Sequence, residues 1–238
     1  MNTLLLRFSA PLQSWGSNSL YDRRETDSMP TKSGVIGILA AALGVKREES
    51  TNALEELAKL QFGVRIDQAG TKTEDFQITK MGDKINSNLS YRVYLNDAIF
   101  LVGLGCENVS YLEKLEYALK NPQFPLFLGR RACPPTQPFV LGIRESDLEQ
   151  ALRDEEWQVP EWRRNALFRF ADRISLRIVL DGTRGDAIKK DVPISFSSYR
   201  REYGYRYVRE ADAKLITKTQ IPMETEHDAM SELAECQN

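Results

Sequence analysis

The sequence has few cysteines, a single histidine and no long hydrophobic run. Its three cysteines, Cys106, Cys133 and Cys236, lie far apart without CxxC spacing, so neither a disulfide framework nor a zinc site is indicated. We expect no metal and no cofactor. No segment approaches the roughly 20 apolar residues of a membrane-spanning helix, and the N-terminus lacks the pattern of a signal peptide. We therefore expect a cytoplasmic protein that has no contact with a membrane.

The single histidine limits the catalytic chemistry that the chain could perform. General acid–base catalysis near neutral pH uses histidine most often, because its unperturbed pKa is about 6.5. His227 lies among acidic residues near the C-terminus, where a solvated side chain is the simpler interpretation. The phosphate-binding motifs GxxxxGK[ST] and GxGxxG and the zinc motif HExxH are absent. A metal-independent nuclease that uses Tyr and Lys stays open, but no pattern supports it, so we predict no catalytic residue.

The formal net charge of -2 hides blocks of opposite sign. Residues 122–144 carry three basic residues and no acidic one, and residues 184–209 carry seven basic and three acidic residues, which gives +3 and +4. Residues 145–161 carry seven acidic residues and one basic residue, which gives -6. Residues 210–238 carry seven acidic and two basic residues, which gives -5. Acidic blocks are usually solvated helices, loops or tails. The basic blocks are where a polyanionic ligand would bind.

The order of the predicted elements indicates an α+β, ferredoxin-like fold. Short apolar runs predict strands at residues 4–8, 62–66, 91–105 and 139–143, with Asn96 and Asp97 interrupting the third run. Helical spacing predicts helices over residues 31–44, 50–60 and 110–119. Thr31 or Ser33 would cap the first helix, and Ser110 would begin a capping box at the last one. The resulting order of strand, helix, strand, strand, helix, strand is that of the ferredoxin-like plait.

The chain beyond residue 143 predicts a different kind of structure. We expect a first domain over residues 1–143 and a second part over residues 144–238. The second part would hold an acidic helix or linker, a small β-rich extension and a flexible acidic tail. Strand character in the extension is found at residues 167–170, 174–180 and 203–208.

Four short patterns favour the binding of phosphates or bases. A glycine and two arginines in the segment 127–134 (FLGRRACP) allow close backbone approach and bidentate phosphate binding, although a simple turn with surface arginines explains them equally well. The helix start 31–34 (TKSG) suits an anion or an ordinary cap. Trp15 in a polar loop is a hydrophobic plug or a surface for base stacking. Tyrosines and arginines alternate in 199–207 (YRREYGYRY), as in a base-binding surface or a half-buried edge strand.

Four sequence blocks resemble the CasD family. These blocks are residues 4–16 (LLLRFSAPLQSWG), 30–44 (PTKSGVIGILAAALG), 91–97 (YRVYLND) and 127–138 (FLGRRACPPTQP), and they occur in the family's order with similar spacing. The family comprises the RAMP-type subunits that bind the 5′ handle of crRNA in type I-E CRISPR Cascade complexes. The C-terminal third of the chain resembles the family only loosely.

The resemblance implies a fold and a function. The fold would be a ferredoxin-like domain with an inserted β-hairpin thumb and a small C-terminal β part. The thumb would span about residues 70–92, with Met81 or Ile85 at its tip, and would act by shape and backbone contacts. The chain would be a non-catalytic subunit that binds the crRNA handle, caps the filament of the Cascade backbone subunit and contacts the large PAM-recognising subunit. It would meet target DNA only through the assembled complex.

Two alternatives stay open beside this hypothesis. Relatives in type I-C cleave crRNA with Tyr, Lys and His together, so the chain could be a metal-independent endoribonuclease that processes pre-crRNA. It could also be a structural adaptor whose acidic blocks dock on partner subunits while its RNA contacts are incidental.

The resemblance also implies which residues bind RNA. Arg130, Arg131 and Lys32 would neutralise phosphates, and Trp15 and the tyrosines around Tyr203 would stack on bases or pack beneath them. The full set is Gln13, Ser14, Trp15, Gly16, Arg23, Arg24, Thr31, Lys32, Ser33, Gly34, Tyr91, Arg92, Leu128, Gly129, Arg130, Arg131 and Cys133.

Overall fold

The computed structural model describes residues 1–16, 23–47, 51–80, 87–184, 186–197 and 199–218. The strands are β1 (Asn2–Ser9), β2 (Leu12–Gln13), β3 (Arg23–Arg24), β4 (Gln61–Gln68), β5 (Thr71–Lys80), β6 (Ser87–Asn96), β7 (Ile99–Cys106), β8 (Val140–Arg144), β9 (Arg173–Asp181), β10 (Ala187–Phe196) and β11 (Arg201–Thr217). The helices are α1 (Lys32–Ala42), α2 (Thr51–Ala58), α3 (Val109–Lys120), α4 (Leu148–Asp154) and α5 (Glu161–Leu167). No helix of these described residues is long and apolar enough to cross a membrane.

A seven-stranded sheet in the order β10-β11-β9-β4-β7-β1-β8 forms the centre of the molecule. Its last four strands have the strand order of a ferredoxin-like plait, with antiparallel pairs throughout. Strand β1 lies between two neighbours and is buried on both faces. Leu4, Leu6 and Phe8 belong to the larger core, whereas Leu5 belongs to a second core that also contains Leu148 of α4. The α+β, ferredoxin-like prediction is confirmed.

The helix starts show one correct prediction and one error. Thr31 caps α1 by accepting a hydrogen bond from the Gly34 N–H at 3.2 Å, and the helix ends before Gly44, whose φ of 76° suits a glycine. Ser110, however, does not begin α3. Asn108 caps that helix instead, because its side-chain oxygen accepts from the Tyr111 N–H at 3.2 Å.

The C-terminal strands extend the sheet of the plait. Strand β9 pairs with β4, and β11 then joins β9 to β10, a strand that the sequence did not predict. Residues 167–170 are not a strand, because α5 includes Leu167 and the buried Phe168 follows as its C-cap. The acidic segment is a helix rather than a linker, since Leu148, Ala151 and Leu152 of α4 are buried against the sheet. The division expected after residue 143 stays a prediction.

A long antiparallel hairpin, β5–β6, projects from the plait at the position expected for the thumb. Its described strands pair from Thr71 opposite Asn96 to Lys80 opposite Ser87, so it reaches beyond the expected boundary at residue 92. Strand β6 also pairs with the short strands β2 and β3, which connects the hairpin to the loop after β1. The expected tip residues, Met81 and Ile85, lie outside the described part of the chain.

Candidate nucleic-acid interface

The loop with the two arginines lies directly on the segment that follows β1. The Ser14 N–H donates to the Leu128 carbonyl at 3.1 Å. Gly129 has a φ of +90°, and a Cβ placed there would lie 1.7 Å from the Ser14 carbonyl oxygen. No L-residue side chain fits at that distance, so glycine is required here for close backbone packing.

Backbone hydrogen bonds within the loop fix its conformation. The Leu128 N–H donates to the Cys133 carbonyl at 2.7 Å, and the Cys133 N–H donates to the Arg130 carbonyl at 2.8 Å. Leu128 and Cys133 are both fully buried, and this burial raises the pKa of the Cys133 thiol. These two predicted RNA-binding residues are therefore anchors of the loop, whereas Arg131 is exposed.

Two contacts fix the position of the Arg130 guanidinium. Its carbon lies 4.6 Å from the centre of the Tyr94 ring, and Nη2 donates to the Arg24 carbonyl at 2.9 Å. A guanidinium over an aromatic ring gains about 0.5 to 1 kcal/mol at exposed sites. Arg130 is thus held in a defined orientation without a carboxylate neutralising its charge among the described residues.

The pairing of β3 with β6 adds two further arginines to the same place. Arg24 lies directly opposite Arg92 in the parallel register, and Tyr94 shares a face with Arg92 because strand side chains alternate. Buried atoms Nε of Arg92 and Nη1 of Arg130 have no hydrogen-bond partner in the described structure. We call Arg24, Arg92, Arg130 and Arg131 the arginine cluster. It offers positive charge at the exposed side chains of Arg24 and Arg131.

Arg23 and Tyr91 are directed away from the arginine cluster. They lie opposite each other in the β3–β6 register, one position from Arg24 and Arg92 and therefore on the other face. Arg23 forms ion pairs with Glu25 at 2.7 Å and Glu74 at 2.9 Å, which raise its pKa. Its charge is therefore balanced within the protein.

Trp15 is a hydrophobic plug, so the alternative in which it stacks on a base is wrong for this structure. Its ring is fully buried and stacks on Phe8 at a centroid distance of 5.5 Å. The indole N–H donates to Gln13 Oε1 at 3.1 Å, and a Cβ on Gly34 would lie 3.0 Å from the ring. No face of the indole is left for a nucleobase.

The two residues before Trp15, Gln13 and Ser14, are also buried. Gln13 is fully buried and donates to the Ala98 carbonyl at 2.7 Å, and Ser14 is 3% exposed. Gly16, in contrast, is exposed. Gln13 and Ser14 hold the loop in place rather than presenting side chains to a ligand.

The start of α1 does not offer the anion site that the sequence suggested. The Lys32 N–H donates to Asp191 Oδ2 at 3.0 Å, and the Lys32 ammonium pairs with Asp181 at 3.0 Å. Thr31 and Ser33 are buried, and Thr31 is engaged as the cap. A carboxylate of the protein itself therefore occupies the position expected for a phosphate, and Lys32 is not available to RNA.

Arg206 completes this buried ion network, a role that no sequence pattern indicated. It donates to both oxygens of Asp191, at 2.6 and 2.9 Å, and to Asp181 at 2.7 Å. Burial alone would raise the pKa of Asp191, but the bonds from Arg206 and the Lys32 amide outweigh it and the pKa is lowered. Burial likewise opposes the charge on Arg206, yet its two carboxylate partners raise its pKa. Alternating tyrosines and arginines indicated a strand, but not which arginine faces inward.

Comparison with known proteins establishes the family. The family described as CRISPR-associated protein (Cas_Cas5) matches residues 3–209. The chain belongs to this family. CRISPR system Cascade subunit CasD from Escherichia coli (strain K12) is 33% identical over 172 residues, which is 64% of this chain and 76% of that protein. The resemblance to the CasD family is confirmed.

Solved structures agree with this family membership. A chain of a CRISPR RNA-guided surveillance complex has a TM-score of 0.75 and 28% identity, with 98% of each chain covered. A crystal structure of a Cas protein has a TM-score of 0.67 and 36% identity, with 92% of this chain and 97% of that chain covered. The fold is therefore that of the family over nearly the whole length.

Proposed function

We propose that this chain is a subunit of a Cascade-type CRISPR surveillance complex and that it holds the 5′ handle of crRNA in the arginine cluster. The similarity to CasD and to a chain of an RNA-guided surveillance complex supports membership of such a complex. The observation that carries the RNA site is the position of Arg130, fixed by Tyr94 and the Arg24 carbonyl.

The arginine cluster has the properties that single-stranded RNA requires. Arginine binds phosphate with two parallel N–H donors, and a guanidinium that is already oriented loses less side-chain entropy on binding. Arg24 and Arg131 are exposed, and no described carboxylate forms an ion pair with either. Gly129 lets the loop lie close to Ser14, and in this position Arg130 contacts Arg24 of β3 and Tyr94 of β6.

The β5–β6 hairpin supplies a surface for a partner subunit. Phe76 lies opposite Tyr91 and Ile78 opposite Leu89, so one face carries four apolar side chains. Their exposed fractions range from 39% for Tyr91 to 62% for Phe76. A contiguous exposed apolar face of this kind marks an interaction site. We assign this hairpin face to the Cascade backbone subunit.

The remaining partners follow from the proposed complex. The large subunit would contact this chain at the same end of the backbone filament, and target DNA would be reached only after assembly. The complex would act in the cytoplasm. We infer a non-catalytic role, supported by the similarity to a protein described as a Cascade subunit.

Crosslinking tests the site directly. Cascade is assembled with crRNA that carries 4-thiouridine in the handle, irradiated, and digested for peptide mapping. We expect crosslinks to peptides that contain Arg24, Arg92 or Arg130. Crosslinks of every handle position to other subunits alone would overturn the proposal. Incubation of the purified chain with repeat RNA in EDTA decides the endoribonuclease alternative, since defined cleavage would contradict a non-catalytic role.

A further inference from the structure

A second aromatic and basic surface lies on the hairpin formed by β10 and β11. Ile188 is directly opposite Tyr207, and Lys190 is directly opposite Tyr205, so the four side chains share one face. Tyr205 is 68% exposed, Ile188 65% and Tyr207 36%. We call these four residues the tyrosine face. Ile188, Tyr205 and Tyr207, together with Arg206, also border a depression in the protein surface.

The two faces of this hairpin have opposite surroundings. Lys189 and Arg206 are directly paired and lie on the inner face, where Lys189 pairs with Asp27 at 3.1 Å and Arg206 with Asp191 at 2.6 Å. Strand β10 packs there against α1 and α2. Strand β9 pairs with β11 only from Val208 onward, so Tyr205 and Tyr207 lie on the part of β11 that pairs with β10 alone. The ion network therefore presents the tyrosine face outward.

The charge and shape of the tyrosine face fit single-stranded nucleic acid. The Lys190 ammonium lies 5.5 Å from the centre of the Tyr205 ring, and the directly opposed pairs contain no carboxylate. Stacking of a base on an aromatic ring contributes about 1 to 3 kcal/mol and tolerates any base. The two tyrosines are two strand positions apart, about 7 Å, which corresponds to about two base steps of 3.4 Å.

We propose that the tyrosine face binds single-stranded DNA without sequence preference. The choice of DNA rests on the proposed function. When a guide RNA pairs with one strand of target DNA, the other strand is displaced, and effectors of the Cas9 type stabilise this displaced strand. The RNA handle would occupy the arginine cluster on the separate β2-β6-β3 sheet, which leaves the tyrosine face for the displaced strand.

Fluorescence anisotropy of the purified full chain with a labelled 12-nucleotide oligo-dT tests this proposal. Combining Tyr205→Thr with Tyr207→Thr should weaken binding roughly tenfold or more, because two stacking rings are lost while strand propensity is kept. Phenylalanine at both positions should retain the affinity. Tyr117→Ala is the matched control, since Tyr117 is 70% exposed and lies on α3. Lys190→Gln should lower the log–log salt slope by about 0.7 for one lost phosphate contact.

The reciprocal experiment separates this proposal from the handle assignment. Replacing Arg130 and Arg131 with alanine should leave oligo-dT affinity unchanged while weakening binding of handle RNA, and the double tyrosine variant should do the reverse. If the double tyrosine variant binds oligo-dT as tightly as the wild-type protein, the DNA proposal is wrong. If that variant then fails to co-purify with another Cascade subunit, the tyrosine face is a protein contact. Normal handle binding by the arginine variant would instead contradict the proposed function alone.

Discussion

The backbone N–H of Lys32 donates to Oδ2 of Asp191, a residue 159 positions later in the chain, at 3.0 Å. Helix N-termini attract anions through their exposed N–H groups and the helix dipole. Here the anion belongs to the C-terminal hairpin, so the hairpin and α1 stabilise each other. We therefore expect the positive charge for RNA to come from the arginine cluster, whose guanidinium groups are not committed to such a network.

The ion network makes Asp191 important for stability. Asp191→Asn should lower the free energy of unfolding by about 1 to 3 kcal/mol, because a neutral amide replaces the carboxylate in its charge-assisted hydrogen bonds while Arg206 keeps Asp181 as a partner. Urea unfolding followed by circular dichroism measures this loss. Asp172→Asn is the control, since Asp172 is exposed. A loss equal to that of the control would show that the hairpin is not held by this carboxylate.

The same carboxylate predicts a pH dependence. The pKa of Asp191 is lowered in the folded protein, so its contribution is fully present above its unfolded pKa of about 3.9 and is lost as the pH falls through the folded value. The difference in unfolding free energy between the unchanged protein and Asp191→Asn should be constant from pH 7 to about pH 5 and shrink at lower pH. If the difference in unfolding free energy between the two proteins grows on acidification, the prediction is contradicted.

Gly129 provides a test of loop geometry without any change in charge. Gly129→Ala places a methyl group against the Ser14 carbonyl at a positive φ, so the loop must move. We expect a destabilisation above about 1 kcal/mol together with weaker handle binding. Gly37→Ala is a matched control because the nearest atom to its added Cβ is the Phe196 ring at 3.9 Å. Full handle affinity in Gly129→Ala would mean that the loop does not contact RNA.

The apolar face of the β5–β6 hairpin should matter for assembly but not for folding. Phe76→Ser with Ile78→Ser should change the unfolding free energy by less than about 0.5 kcal/mol per residue, because both side chains are exposed. Co-purification with the Cascade backbone subunit should decrease. Gln77→Ser, on the opposite face of the same strand, should assemble normally. If all variants assemble equally well, the hairpin face is not part of the interface with the backbone subunit.

Strong local patterns in the sequence predicted most of the plait. The apolar run of β1 and the cap at Thr31 depend on residues that are close in sequence, so the sequence predicts both. Strand β10 was missed because Lys189, Lys190 and Asp191 interrupt any apolar alternation. The burial of Asp191 depends on Arg206 and the Lys32 amide, and both partners lie on other elements of the fold.

The site was harder to predict than the fold, because sequence patterns do not show exposure. Trp15 and Lys32 lie in segments that suit RNA, yet tertiary contacts bury both of them. Arg24 and Arg130 are 106 positions apart, and only the pairing of β3 with β6 and the turn at Gly129 bring them together. The sequence thus indicated segments that the fold brings together, but not which of their side chains are exposed.

Handle binding by the arginine cluster is tested most directly by the affinity of Arg130→Ala with Arg131→Ala for labelled handle RNA. The full chain is measured at several salt concentrations, with Arg163→Ala plus Arg169→Ala on another surface as the control for lost charge. We predict at least a tenfold loss of affinity, from about 1 to 3 kcal/mol for each charge-assisted contact, and a salt slope lower by about 1.4 for two phosphates. Equal affinities and slopes in the unchanged, cluster and control proteins would contradict the account.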